Sequence, residues 1–456
     1  PYIYTEVSDK ITISVNIGSF NKSETAVKKL TDDDNELVSA QLLYKLLCDF
    51  TGLTQPWGIL TGVRPVKLLR RLAEESNEEQ AVKKFEKDFF VSNEKIALSR
   101  ETEHNERKIL EISKPESLSL YVGIPFCPSR CSYCSFVMAS IERAEKLIEP
   151  YTKLLCEEIK RTAEIANKLG LRLETVYFGG GTPTTLSAEQ LDTVLRTVNN
   201  SFDMSTCREF TVEAGRPDTI DIAKLFALKE NKVDRISINP QTVNDEVLKT
   251  IGRKHTAQQF FDAFELARKC GFDNINTDLI AGLPTDTPES FKNSLDSIVR
   301  LNAECITVHK PSSAASDVYK RQVHTLCMKR ASRLTTEGVT LDLQQARDAR
   351  EMLAYTQNIL GQNEYIPYYM YRQSRMVGNL ENVGWSKKGF ESLYNVYVMD
   401  ETHTILACGS GGVTKLKRNN PDYLERIFNF KYPYEYIDRF DELIQRKSGI
   451  MQFYGQ

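Results

Sequence analysis

Between residues 118 and 309, short apolar runs alternate six times with amphipathic stretches, and this alternation constrains the fold more than any other feature of the chain. The runs at 118–124, 174–178, 209–214, 234–239, 274–281 and 304–308 read as buried parallel strands, each leading into a helix. Ser187 with Gln190 and Thr256 with Gln259 form capping boxes, and Pro288 follows Thr287 as a first helical residue. Leu191, Val194, Leu195 and Val198 recur on one helical face. Six successive βα units predict an α/β chain built on a partial (β/α)6 barrel, with its chemistry at the C-terminal ends of the strands. An open doubly wound sheet is the alternative.

The 456 residues allow two or three domains of roughly 150 residues each. We expect an N-terminal α+β domain over 1–115, the barrel over 116–309 and a C-terminal subdomain over 325–456 that covers one mouth of the barrel. In the first, an alternating run at 11–17 reads as a strand. The segment 57–65, with Trp57 and Pro65, leads into a helix that turns Leu68, Leu69 and Leu72 inward and leaves Arg70 and Arg71 in water. In the last, 343–360 reads as helix, 392–399 as strand-like, and 404–407 as a strand before a glycine turn at 409–412.

Composition narrows the function classes. Hydrophobic residues make up 41% and charged residues 27%, as in ordinary soluble globular proteins. A net charge of −3 leaves no basic excess to neutralise a nucleic-acid backbone, so no nucleic-acid partner is expected. No apolar run approaches the roughly 20 residues of a membrane span, and no tripartite export signal opens the chain, so the expected compartment is the cytoplasm. Ten cysteines in so long a chain point to metal binding or catalysis rather than to a disulfide framework.

One stretch breaks the pattern. Residues 312–322 back-translate codon by codon into a transposon-tagging adapter used in DNA sequencing, between the dipeptides Val308-His309 and Val323-His324. We read 310–324 as an insertion artefact. Without it, Thr307-Val308-His309 runs straight into Thr325-Leu326-Cys327. Resequencing the source locus tests this: a continuous native frame through these codons overturns it.

The chemistry centres on Cys127, Cys131 and Cys134, directly after the first strand of the repeat. Three thiolates on one short loop suit a cubane cluster in which the fourth iron keeps no protein ligand and can bind a small chelator. A structural zinc site wants four closed ligands, and His104 and His255 lie far off in sequence, which places zinc second. After the second strand, Gly179-Gly180-Gly181-Thr182-Pro183-Thr184 lets the backbone approach a ligand closely. Glu213, Gln241, Arg253 and Asp278 fall at further strand exits, where four polar groups on one rim suit a zwitterionic, hydroxyl-rich molecule.

Taken together, these residues resemble the radical S-adenosylmethionine (radical SAM) enzymes, and within them the oxygen-independent coproporphyrinogen III oxidase (dehydrogenase) family. The resemblance rests on the run Tyr121-x-x-Ile124-Pro125-Phe126-Cys127-x-x-x-Cys131-x-x-Cys134 and on 178–183, 276–284, Glu213 and Gln241, spanning about 118–308. The segments 57–65 and 378–382 are similar to a bacterial oxidase-like branch. The likeness implies a TIM-type radical SAM barrel in which Cys127, Cys131 and Cys134 hold a [4Fe-4S] cluster. It also implies that Tyr121, Tyr133, Gly180, Gly181, Thr182, Glu213, Gln241, Arg253 and Asp278 contact S-adenosyl-L-methionine.

The implied reaction uses a low-potential electron donor such as flavodoxin or ferredoxin to cleave the cofactor, giving a 5′-deoxyadenosyl radical. That radical takes hydrogen from the propionates of coproporphyrinogen III, and loss of carbon dioxide and an electron leaves the vinyl groups of protoporphyrinogen IX. Arg372, Arg375 and Lys415 are candidate cationic partners for the propionates of this tetrapyrrole. The chain departs from the family's well-established oxidases at Gly123, where they carry His, and at Phe136, where they carry a fourth nearby Cys. The rival readings are a haem-binding chaperone, with His309 or His403 as axial ligand, and another radical reaction on a tetrapyrrole such as haem ring opening.

Overall fold

The computed structural model describes residues 2–62, 64–134, 138–309, 343–372, 380–419 and 422–455. The adapter-like stretch, Arg375 and Phe136 lie outside the described residues.

The chain opens with an antiparallel sheet of β1 (Tyr2–Val7), β2 (Lys10–Ile17) and β3 (Phe20–Val27). Alternation on β2 buries Ile11, Ile13 and Val15 against Leu42 and Leu46 of helix Asp32–Thr51. Helix Pro65–Glu75 then packs with helices Glu78–Lys87 and Asn93–Leu110. Leu69 and Leu72 are buried as expected and Arg71 is exposed. Arg70 is not in water. It is enclosed by Glu103, Glu106 and Asp400, at 3.3, 2.7 and 2.5 Å. The amphipathic pattern could not show those acids, because two stand on another helix of the domain and the third 330 residues away.

All six strands of the repeat form: β4 (Ser117–Ile124), β7 (Arg172–Gly180), β8 (Glu209–Glu213), β9 (Arg235–Ser237), β10 (Ile275–Ile280) and β11 (Cys305–His309). They lie side by side in chain order, each parallel to the next. A doubly wound sheet would reverse its order at a switch point, so sequential order favours the partial barrel. The short pair β5 (Phe126–Cys127) and β6 (Ala139–Ser140) closes the cysteine loop at the end of β4. Both capping boxes form, and Pro288 opens helix Pro288–Arg300. Leu191, Val194, Leu195 and Val198 are buried, so the helix that follows β7 docks by its apolar stripe.

Pleating sorts the strand residues. On β4, Leu118, Leu120, Val122 and Ile124 belong to the main aliphatic core. The alternate set packs inside the barrel, where Ser119 meets Thr175 and His403 and Tyr121 stacks on Tyr177.

The C-terminal residues enter the barrel wall at both edges. β12 (Tyr365–Arg372) and β13 (Glu381–Lys387) add antiparallel strands beyond β11. β14 (Thr404–Cys408) adds a parallel strand beyond β4, continued by β15 (Val413–Asn419) and β16 (Asp422–Phe428). The run expected to be strand-like at 392–399 is instead helix Leu393–Asp400, capped by Ser392. Tyr394 to Val398 are all buried, and burial on every side erases the period that separates helix from strand. Trp57 ties the N-terminal helical segment to β13, donating to Glu381 at 2.7 Å. Among the described residues no helix is long and apolar enough to cross a membrane.

Candidate active site at the strand ends

A pocket opens where β4, β7, β8, β9 and β10 end, lined by eleven of the residues singled out from sequence: Cys127, Cys131, Cys134, Tyr133, Gly180, Gly181, Thr182, Glu213, Gln241, Arg253 and His309. The cysteine loop is held from two sides. Ser132 donates its amide to Ile251 O at 2.9 Å, and Ala139 to Pro125 O at 2.8 Å. The glycine turn runs directly beneath: Gly181 N donates to Ile124 O at 2.7 Å and Thr182 N to Phe126 O at 2.8 Å. A Cβ on Gly181 would stand 2.5 Å from Phe126 O, and Gly180 has φ +111°. The missing side chains therefore admit the chain's own cysteine segment as well as a ligand. Thr182 Oγ1 lies 3.3 Å from Cys127 Sγ.

Charge on the far wall is fixed by buried partners. Arg253 donates to Asn239 O at 2.6 Å and to the Tyr133 hydroxyl at 3.2 Å. Burial opposes its charge, but Tyr133 and Cys131 nearby hold its pKa above the ordinary range. Glu213 accepts from Tyr177 at 2.5 Å, and burial, then Glu213, keeps that phenol protonated. Gln241 sits at φ +69°, an uncommon backbone state for a residue other than glycine. Its amide donates to Asp278 O at 2.9 Å, and its carbonyl accepts from Ile280 N at 3.0 Å.

Two expected ligand contacts stand elsewhere. Tyr121 stacks on Tyr177, with ring centroids 6.4 Å apart, and Tyr177 in turn donates to Glu213 in the pocket wall. The Asp278 carboxylate lines a smaller polar cavity inside the barrel, where it accepts from Asn276 at 2.8 Å and faces His309 Nε2 at 3.6 Å. His309 lines both cavities.

Sequence reasoning missed Arg216. It is buried, places Nη1 3.8 Å from Cys131 Sγ, and is gripped by both oxygens of Asp218 at 3.0 Å. Burial would raise the Asp218 carboxyl, but Arg216 holds it below the ordinary range. The clue lay in its place three residues beyond Glu213, at the same strand exit.

Of the other candidates, all but His255, which lies beside Arg253 and Arg216, are placed away from the pocket. Arg372 donates to Leu60 O at 2.6 Å and lies over the Trp57 ring, so its guanidinium serves the fold. Lys415 is buried on β15, and its sheet partner is Ile405. His403 is buried at the opposite end of the barrel, stacked on Tyr397 and 2.9 Å from Ser119 Oγ. Burial and Arg208 push its pKa down to about 3. His104 is exposed on helix Asn93–Leu110. Burial, with Arg253 and Arg216, lowers His255 to about 3.

The donor set fits a cluster better than one ion. Among the described residues no three His, Cys, Asp or Glu side chains could hold a single metal ion. Three thiols spread along a pocket wall beside a buried guanidinium suit a larger anionic group.

Residues 121–298 match the radical SAM superfamily. The chain is 35% identical to the oxygen-independent coproporphyrinogen-III oxidase-like protein HemZ of Bacillus subtilis, over 98% of this chain and 89% of HemZ. It is 34% identical to the heme chaperone HemW of Lactococcus lactis over 68% of this chain and 73% of HemW. The solved structure of Escherichia coli coproporphyrinogen III oxidase HemN superposes with a TM-score of 0.53 at 22% identity, covering 74% of this chain and 71% of HemN. The chain therefore belongs to the radical SAM superfamily, whose members use a [4Fe-4S] cluster and S-adenosylmethionine, and within it to the oxygen-independent coproporphyrinogen III oxidase-like proteins.

Proposed function

We propose that the protein is a radical SAM oxidoreductase that converts propionate side chains of coproporphyrinogen III to vinyl groups, giving protoporphyrinogen IX without oxygen. The observation that carries this reading is the meeting of three thiols with Glu213, Gln241, Arg253 and an open glycine turn in one pocket at the strand ends. When bound, the cluster and S-adenosylmethionine supply a carbon radical able to take hydrogen from an unactivated side chain.

The chain's own part is to hold, orient and exclude water. Cys127, Cys131 and Cys134 hold the cluster, and Arg216 sets a positive charge against it. Glu213 suits the cofactor's ammonium, Arg253 its carboxylate, and the backbone of Gly180 to Thr182 gives polar groups at close range. Tyr133 and Gln241 complete the wall. Tyr121 and Asp278 are positioning residues, acting through Tyr177 and through the Gln241 backbone. The site suits a reducing compartment such as the cytoplasm, and the cysteines at the described positions are free thiols.

The test is anaerobic reconstitution followed by incubation with S-adenosylmethionine, a reductant and coproporphyrinogen III, with products identified by mass. Two vinyl groups per product are expected. Release of 5′-deoxyadenosine with no vinyl product keeps the superfamily chemistry and rejects this substrate.

A second reading, haem delivery, is favoured by one observation: His309 lines the same pocket, and the HemW relative is a heme chaperone. Haem titration of the reconstituted protein and of His309→Ala separates the two. A haem spectrum lost in the variant, without substrate turnover in the parent, supports delivery.

A further inference from the structure

Resting on the reading that the thiol triad holds a cluster, we propose that the groove beside the cysteine loop docks an acidic one-electron carrier protein. The groove is lined by Arg130, Glu142, Arg143, Lys254, Tyr432 and Tyr434, among others. Ser129 and Met138 line both this groove and the thiol pocket. The described part of the cysteine loop thus has the thiol pocket on one side and this groove on the other, and a carrier seated in the groove lies close to the cluster.

Charge selects the occupant. Arg130, Arg143 and Lys254 are exposed on the groove, and Glu142, the one carboxylate lining it among the described residues, pairs with Lys254 at 3.2 Å. This cationic patch stands on a chain of net charge −3, so it is a local feature that steers an acidic protein toward the loop. Tyr434 and Tyr432 are 51% and 39% exposed and stack with centroids 5.4 Å apart, a rigid aromatic anchor of the kind that interfaces favour.

The transfer is one electron. With a flavin carrier, the anionic hydroquinone becomes the neutral semiquinone, the cluster core goes from 2+ to 1+, and no proton moves. The test follows cluster bleaching by stopped flow in the reconstituted holoprotein, with flavodoxin hydroquinone as the probe and dithionite as the control. Tetrapyrrole turnover is not needed. In R143E/K254E, reduction by flavodoxin at low salt slows on the order of tenfold, and the parent's rate falls similarly on raising salt toward ~0.3 M. Reduction by dithionite is unchanged within about twofold, because a small reductant needs no docking face. The milder R143Q/K254Q falls between. An intact cluster that flavodoxin reduces equally fast in parent and R143E/K254E overturns the docking proposal alone. A parent protein that binds no iron sinks both it and the reading beneath it.

Discussion

Arg216 stands between Asp218 and Cys131, with both carboxylate oxygens at 3.0 Å on one side and the Cys131 sulfur at 3.8 Å on the other. The carboxylate fixes the guanidinium, and the guanidinium puts a buried positive charge beside the Cys131 sulfur, where on the proposed reading an anionic cluster would be held. Arg216→Met should lower the cluster's reduction potential by about 60 mV, a tenfold change for a one-electron couple. An EPR-monitored redox titration measures this. Asp218→Asn should shift it in the same direction by less. A potential unchanged in Arg216→Met removes the electrostatic role.

Glu213 keeps its place through Tyr177, which donates to it at 2.5 Å. Tyr177→Phe deletes that donor and keeps the ring that stacks on Tyr121 and Tyr394. The dissociation constant for S-adenosylmethionine should rise about tenfold, or ~1.4 kcal/mol, by calorimetric titration of the reconstituted protein. Unaltered affinity contradicts the role given to Tyr177 in holding Glu213.

Glycine at 181 is a steric requirement. Gly181→Ala drives a Cβ to 2.5 Å from Phe126 O, a backbone atom beside Cys127. A loss of more than about 2 kcal/mol in stability, together with reduced iron per chain, is expected. Gly215→Ala is the control, since the nearest atom to its Cβ is Asn239 Nδ2 at 3.5 Å and the variant should load iron normally.

His403 makes stability depend on pH. Its folded pKa is lowered from 6.5 to about 3 by burial and by Arg208, so between those values the unfolded chain binds a proton that the folded chain refuses. Stability at this site is therefore fully present above about 6.5 and falls as pH drops below it, by up to ~1.4 kcal/mol per pH unit. His403→Phe keeps the stacking on Tyr397 and should roughly halve the slope between about pH 6.5 and 5 in anaerobic urea unfolding, because buried His255, also lowered to about 3, supplies the rest. A slope as steep as the parent's assigns it to another group. The same variant should leave any haem spectrum intact, because His403 lies at the far end of the barrel.

Removing Arg70 leaves Glu106 and Asp400 buried without their shared cation. Arg70→Met should cost about 3–5 kcal/mol by urea unfolding. A loss under about 1 kcal/mol would equate the site with an exposed ion pair.

Much of the scaffold is written locally. Capping boxes at Ser187 and Thr256, the proline opening a helix at Pro288 and six apolar runs fix where elements begin and end, because each is a contact within a few residues. The cysteine loop is legible for the same reason: three cysteines within eight residues stay on one loop and line one pocket. Other features defeat local reading. Helix Leu393–Asp400 carries strand-forming residues but is buried on all sides, and Arg70 looks like a solvated charge until Asp400 arrives from the far end of the chain.

The order of residues alone determined the βα repeat, the strand exits and the chemistry of the thiol triad, since these depend on spacing and side-chain type. Only the assembled sheet decided that Arg216 would face Cys131 and that His309 would line two cavities. Those are contacts between strands tens of residues apart, and what fixes them is which way each pleat turns once neighbouring strands are in register.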